Sequence, residues 1–142
     1  MIVWRLCRRP HADLSGEGAA RYGGRWNSPG KRIVYTASSA ALAVLEVRVH
    51  LDLPFDLLPS DYVLVEVDLG TLDVETAGMA PVNPQVFGDR WIRQARTPVL
   101  QVPSVIVPEP NFLFNPAHAA AAGAKIIDIK PFAFDARLWA SA

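Results

Sequence analysis

The clearest alternation in the chain is DYVLVEVDL at residues 61–69, with Val63, Val65, Val67 and Leu69 on one face and Leu64, Glu66 and Asp68 largely on the other. A period of two over that length predicts a half-exposed strand. Residues 2–6 predict a shorter first strand, with Ile2, Trp4 and Leu6 on one face and Val3 and Arg5 on the other, and KRIVYT at 31–36 predicts a second. Apolar residues then fill nearly every position of SSAALAVLEVRVHL, residues 38–51, behind serines able to cap a helix, and LPFDLLP stops the run. A helix apolar all round predicts burial.

Residues 84–96, PQVFGDRWIRQAR, carry apolar side chains at helical spacing behind a first-turn proline, with the arginines on a solvated face and Gly88 weakening the helix locally. TPVLQVPSVIVPEP at 97–110 gives two short apolar runs broken by Pro103, as neighbouring strands or one kinked edge strand would. Asn115, Pro116 and Gly123 bracket PAHAAAAG as a short helix, and KIIDI at 125–129 closes the chain with a last strand. Strands and helices interspersed in this way predict an α+β fold, a central mixed or antiparallel sheet with flanking helices.

Composition narrows the function. The 142 residues suit one domain, spanning 1–142, with a real core. With 14 basic and 14 acidic residues the net charge is zero, so no global field recruits nucleic acid or an anionic membrane. Cys7 stands alone, and MIVWRLCRRP is too short an apolar run for a signal peptide or membrane span, so the expected compartment is the cytoplasm. His11, His50 and His118 are scattered and none sits at metal-ligand spacing with Cys7, so no metal is expected. Nucleophile elbow, Walker loop and dinucleotide fingerprint are all missing.

Two features ask for an explanation. Glu46 is the only polar side chain within residues 40–47, and a carboxylate removed from water needs a partner: either a structural ion pair with Arg48 or a loop arginine, or a place lining a functional cleft. His50 follows one helical turn later and shares its face. The second feature is RYGGRWNSPG at 21–30, with two arginines, three glycines and no acid. It reads either as a plain turn or as a backbone that must approach an anion. Arg5 alone reads as snorkelling to solvent at a sheet edge, and Tyr35 alone as a core aromatic.

Arg5, GGRWNSPG at 23–30, VYTASSAALAVLEV at 34–47 and VPSVIVPEPNFLFNPAH at 102–118 together resemble the RES-domain family, in order along almost the whole chain. The arginine, glutamate and serine of that name match Arg25, Glu46 and Ser104, with Asn111 and Asn115 following the serine. The resemblance implies a fold similar to the ADP-ribosyltransferase toxins and a toxin of a bacterial toxin-antitoxin pair that consumes NAD. The ADP-ribose would pass to water, phosphate or a protein target. It implies catalytic roles for Glu46, Arg25 and Tyr35, and an NAD pocket lined by Arg5, Arg25, Tyr35, Ser104 and Asn111. It further implies an Xre-type antitoxin that blocks the pocket in a hetero-oligomer, which Arg21 could help to recognise. Guanidinium groups suit a diphosphate through forked, charge-assisted hydrogen bonds, and Glu46 would favour positive charge developing on the ribose. Val44 stands two residues before Glu46, so the paired acids of arginine-modifying enzymes are absent. The alternative is a non-catalytic module whose glycine loop holds a nucleotide or a partner's acidic segment.

Overall fold

A computed structural model describes residues 1–78 and 81–140. Seven strands form one sheet: β1 (Ile2–Arg8), β2 (Val34–Ala37), β3 (Tyr62–Asp68), β4 (Val74–Thr76), β5 (Val99–Pro103), β6 (Pro110–Phe114) and β7 (Lys125–Pro131). Their order is β4-β5-β6-β2-β1-β3-β7, antiparallel throughout except for the β4–β5 pair. Three α-helices accompany it: α1 (Glu17–Tyr22), α2 (Ala40–Arg48) and α3 (Pro84–Gln94). The expected α+β single domain with a mixed sheet is what forms.

Cross-strand partners point to the same face. One face gathers Val3, Val65, Val67, Val34 and Phe114, covered by Leu14, Leu72 and Ala124. On the other face α2 packs Leu42 and Ala43 against Leu6 and Ala37, while α3 and the glycine loop pack Trp91 and Trp26 against Leu100, Val102 and Leu113. The register unites these two patches on one side of the sheet, because Trp4 pairs with Ala37 and Ala37 with Asn111. β1 and β3 share seven register pairs, whereas β1 and β2 share one. The sheet is thus loosely joined midway, and α2 and α3 stand on either side of that seam.

The alternation of β3 is borne out, with Val63, Val65, Val67 and Leu69 buried. The serine cap expected for α2 forms, Ser39 accepting the Leu42 N–H at 3.1 Å, and Pro84 opens α3 as expected, with Asn83 before it accepting the Val86 N–H at 3.1 Å. Other expectations need correction. Helix α2 ends at Arg48, and only Leu42 and Ala43 are fully buried, because one of its faces borders a cleft. Pro103 ends β5, residues 105–107 form the turn, and the partner strand is PNFLF instead of VIV. No α-helix forms over 116–123: Asn115 Oδ1 takes the Ala117 N–H and His118 Nδ1 takes the Ala120 N–H, leaving one 3-10 turn at Ala121–Gly123. Side chains there compete with the backbone for a helix too short to nucleate well. Helix α1 and strand β4 were unforeseen; α1 absorbs Arg21 and Tyr22, so the loop proper begins at Gly23 (φ 72°), whose N–H caps Ala19. No helix of the described residues is long and apolar enough to cross a membrane.

Candidate active site

A cleft of about 380 Å³ opens between α2, the glycine loop and the ends of β5 and β6. Helix α2 presents Ala43, Glu46, Val47 and His50 to it, the three- and four-residue spacing of one helical face. Glu46 is the acidic member of that face. Its Oε1 accepts from Ser104 Oγ at 2.8 Å and from Asn111 Nδ2 at 2.8 Å, while Oε2 makes no hydrogen bond among the described residues. Ser104 is set by the break at Pro103: its own N–H donates to the Glu109 carbonyl at 3.0 Å, and its hydroxyl accepts the Ile106 N–H at 3.0 Å. Asn111 lies on β6 beside Ala37.

The ion pair that would have made Glu46 structural does not form. Arg48 turns away, donating to the carbonyls of Leu138 (2.9 Å) and Leu51 (3.2 Å) and lying 4.0 Å over the Trp139 ring. Among the described residues Glu46 has no cationic partner within salt-bridge distance. The carboxyl is therefore held by neutral donors on one oxygen.

Arg5 does not snorkel from an edge. Strand β1 is interior to the sheet, and Arg5 Nε is buried without a hydrogen-bond partner, as is Asn111 Oδ1. Both residues line the cleft. A buried donor or acceptor left without a partner costs free energy, so Arg5 and Asn111 are polar side chains that the fold holds at a cost beside the cleft. Arg5 thus borders the cleft from a strand inside the sheet. Its charge also opposes the burial that raises the Cys7 thiol.

Arg25 sits at the tip of a tight turn closed by the Gly24 N–H on the Asn27 carbonyl at 2.9 Å. It is exposed and lines the cleft, while Trp26 beside it is buried, edge-on to Phe87. Tyr35 lines the wall, but its hydroxyl serves the loop: it donates to Asn27 Oδ1 at 2.6 Å and accepts the Trp26 N–H at 3.0 Å. Burial pushes its pKa up to about 12. Gly24 must be glycine, because a Cβ there would lie 2.7 Å from the Tyr35 hydroxyl.

Of the residues singled out by sequence, Arg5, Arg25, Tyr35, Glu46 and Asn111 border this cavity. Ser104 stands behind Glu46 and borders a neighbouring depression instead. Arg21 is exposed at the end of α1 and is not part of the lining. His50 was noted only for sharing Glu46's face; it lines the cleft with Nδ1 2.8 Å from the Glu46 carbonyl oxygen. Asn27, wholly buried, and Asp89 were not singled out, since nothing in their local sequence distinguishes them from ordinary turn and helix residues. No three His, Cys, Asp or Glu side chains converge as a metal site would need among the described residues.

A carboxyl held by neutral donors thus borders the same cleft as two arginines, in an α+β domain built on a mixed sheet. The RES domain family model matches residues 2–135, and the chain belongs to that family. It is 44% identical over 141 residues to the "Prs ADP-ribosylating toxin" of Sphingobium sp. (strain YBL2), covering 89% of this chain and 86% of that one. It is 36% identical over 149 residues to "Toxin Res" of Pseudomonas putida, covering 98% of this chain and all of that one. The crystal structure of the M. tuberculosis MbcT-MbcA toxin-antitoxin complex contains a chain of the same fold, with TM-score 0.77 and 20% identity, covering 93% of this chain and 84% of that one.

Proposed function

We propose that the protein is a bacterial toxin that cleaves NAD at the nicotinamide–ribose bond and passes the ADP-ribose to an acceptor. The observation that carries this reading is the Glu46 carboxyl, anchored through one oxygen by Ser104 and Asn111 at the wall of a cleft that Arg5 and Arg25 make cationic. Arg5, Arg25 and Asn111 in the lining suit a substrate with both anionic and hydrogen-bonding groups, as NAD has in its diphosphate and its ribose hydroxyls and carboxamide.

The chemistry asks little of the protein beyond placement. Nicotinamide leaves with the bonding electron pair and becomes neutral, so the leaving group needs no proton; the ribose C1′ is left cationic, and the acceptor's nucleophilic atom bonds to it, any proton that atom carries passing to solvent. Glu46 stabilises that cation and holds the ribose hydroxyls, and the arginines hold the diphosphate. The resemblance alone would give Ser104 a contact with NAD; its hydroxyl on Oε1 supports instead a role in aiming Glu46. Tyr35 acts through the loop that bears Arg25.

The direct test is release of nicotinamide by the purified chain. The native protein is expected to cleave NAD, Glu46→Gln to lose about 10²–10³-fold in kcat, and Arg25→Ala mainly to raise KM. Intact NAD after incubation with native protein, phosphate and cell lysate would remove this reading. Labelled NAD with lysate identifies the acceptor; the name of the Sphingobium relative favours a protein over phosphate or water, and Val44 at the position two before Glu46, where arginine-modifying enzymes carry a second acid, disfavours arginine. In bacteria, we propose that the chain acts in the cytoplasm and is held inactive in a hetero-oligomer by an Xre-type antitoxin that blocks the cleft. Expressed alone it is expected to arrest growth, with Glu46→Gln relieving the arrest and a co-expressed antitoxin preserving cellular NAD.

A further inference from the structure

The loop that carries Arg25 contains glycines at 23, 24 and 30, and a chain of that composition has many conformations to lose when a ligand orders it. Here it is gripped from two sides. From β2, the Tyr35 hydroxyl takes the Trp26 N–H and donates to Asn27. Asn27 in turn donates to the carbonyls of Ala19 (2.8 Å) and Lys31 (2.9 Å), so it ties the loop to α1 and to the approach to β2.

From α3 the grip is closer. The Ser28 N–H donates to Asp89 Oδ1 at 2.9 Å and the Ser28 hydroxyl to Asp89 Oδ2 at 2.7 Å, so both carboxylate oxygens serve one loop residue. One turn earlier, Gln85 donates to the carbonyls of Asn27 (3.1 Å) and Gly24 (3.3 Å), on either side of Arg25. Gly88 lets the helix backbone rest directly on the Trp26 carbonyl, where any Cβ would overlap it. Asp89 lies near enough to Tyr35 to reinforce the effect of burial on that phenol.

We infer that Asp89 is a positioning residue for Arg25: its carboxylate clips the glycine loop to α3 through Ser28, so that the Arg25 guanidinium stands at the cleft before the substrate's diphosphate arrives. This rests on the NAD-cleaving reading. Asp89 is not among the residues lining the cleft and acts only through the loop. Loosening the clip leaves the Glu46 side of the cleft untouched, so the loss falls on binding instead of on the chemical step.

The test is nicotinamide release at varied NAD, with thermal melting to verify folding. Asp89→Ala is expected to raise KM about tenfold with kcat within about a factor of two, since a charge-assisted pair of hydrogen bonds is lost. Asp89→Asn, which keeps an acceptor for the Ser28 N–H, restores most of the native KM. In an Arg25→Ala background, Asp89→Ala adds nothing, because the residue acts through Arg25. Ser28→Ala removes the hydroxyl half of the clip and keeps the N–H half, so it should raise KM by a smaller factor, and it serves if Asp89→Ala does not fold. An unchanged KM in the folded variant, or additive effects of Asp89→Ala and Arg25→Ala, overturns the inference while leaving NAD cleavage intact. A native chain that neither binds nor cleaves NAD removes the parent reading, and the clip with it.

Discussion

Glu46 shows how far a single residue's surroundings can be read. Its isolation in an apolar run marked it as a group needing partners, and the sequence left open whether these were arginines. Oε1 is met by a serine and an asparagine 58 and 65 residues away in the chain, which no local pattern could select. Tyr35 is the converse: visible as an aromatic ending a strand, with its hydroxyl's commitment to the loop hidden. That commitment has a titration signature. The folded pKa is raised from 10.0 to about 12, so the fold prefers the neutral phenol; the stabilisation is complete below pH about 10 and is lost as pH rises through about 12. Alkaline difference spectroscopy of native protein against Tyr35→Phe should show one tyrosine ionising only near the upper end of that range. A Tyr35 that ionises near pH 10 would contradict the buried loop contact.

At the scale of elements, legibility followed local chemistry. Strand β3 and the starts of α2 and α3 were readable because alternation, capping side chains and a first-turn proline act within a few residues. The stretch 116–123 failed because its polar side chains satisfy the backbone that a helix would have used. Strand β4 has three residues and exists through its parallel pairing with β5, an interaction with no signature of its own. Gly88 looked like a weak point in α3, yet it is where the helix touches the loop. By helix propensity Gly88→Ala would stabilise by about 1 kcal/mol. The new methyl would instead strike the Trp26 carbonyl and carbon, both backbone atoms that cannot swing aside. Denaturant unfolding should therefore show a net loss of about 1–3 kcal/mol, the usual range for overpacking, and a gain in stability would show that helix and loop are not in register.

The whole molecule is stitched across its sheet from the C-terminal end. Phe134 is buried and meets Tyr62, Phe132 and Trp139 edge-on, and Trp139 in turn holds Phe55 and Arg48. This cluster backs α2 away from the cleft. Phe134→Ala should lose about 3–5 kcal/mol of stability in denaturant unfolding, with the KM for NAD unchanged in the fraction that stays folded; a shifted KM with unchanged stability would place Phe134 in the site instead. By itself the sequence determined the fold class, the caps and the facing of β3, because periodicity and capping are short-range. Through family resemblance it also determined which side chains to watch. Only the tertiary structure decided that the loop RYGGRWNSPG is a clamped turn with Arg25 at its tip, that Ser104 and Asn111 share one oxygen of Glu46, and that Arg5 reaches the cleft from inside the sheet. Those facts depend on contacts between residues tens of positions apart. Such contacts are chosen by packing of the whole chain, and nothing in a local stretch of sequence encodes them.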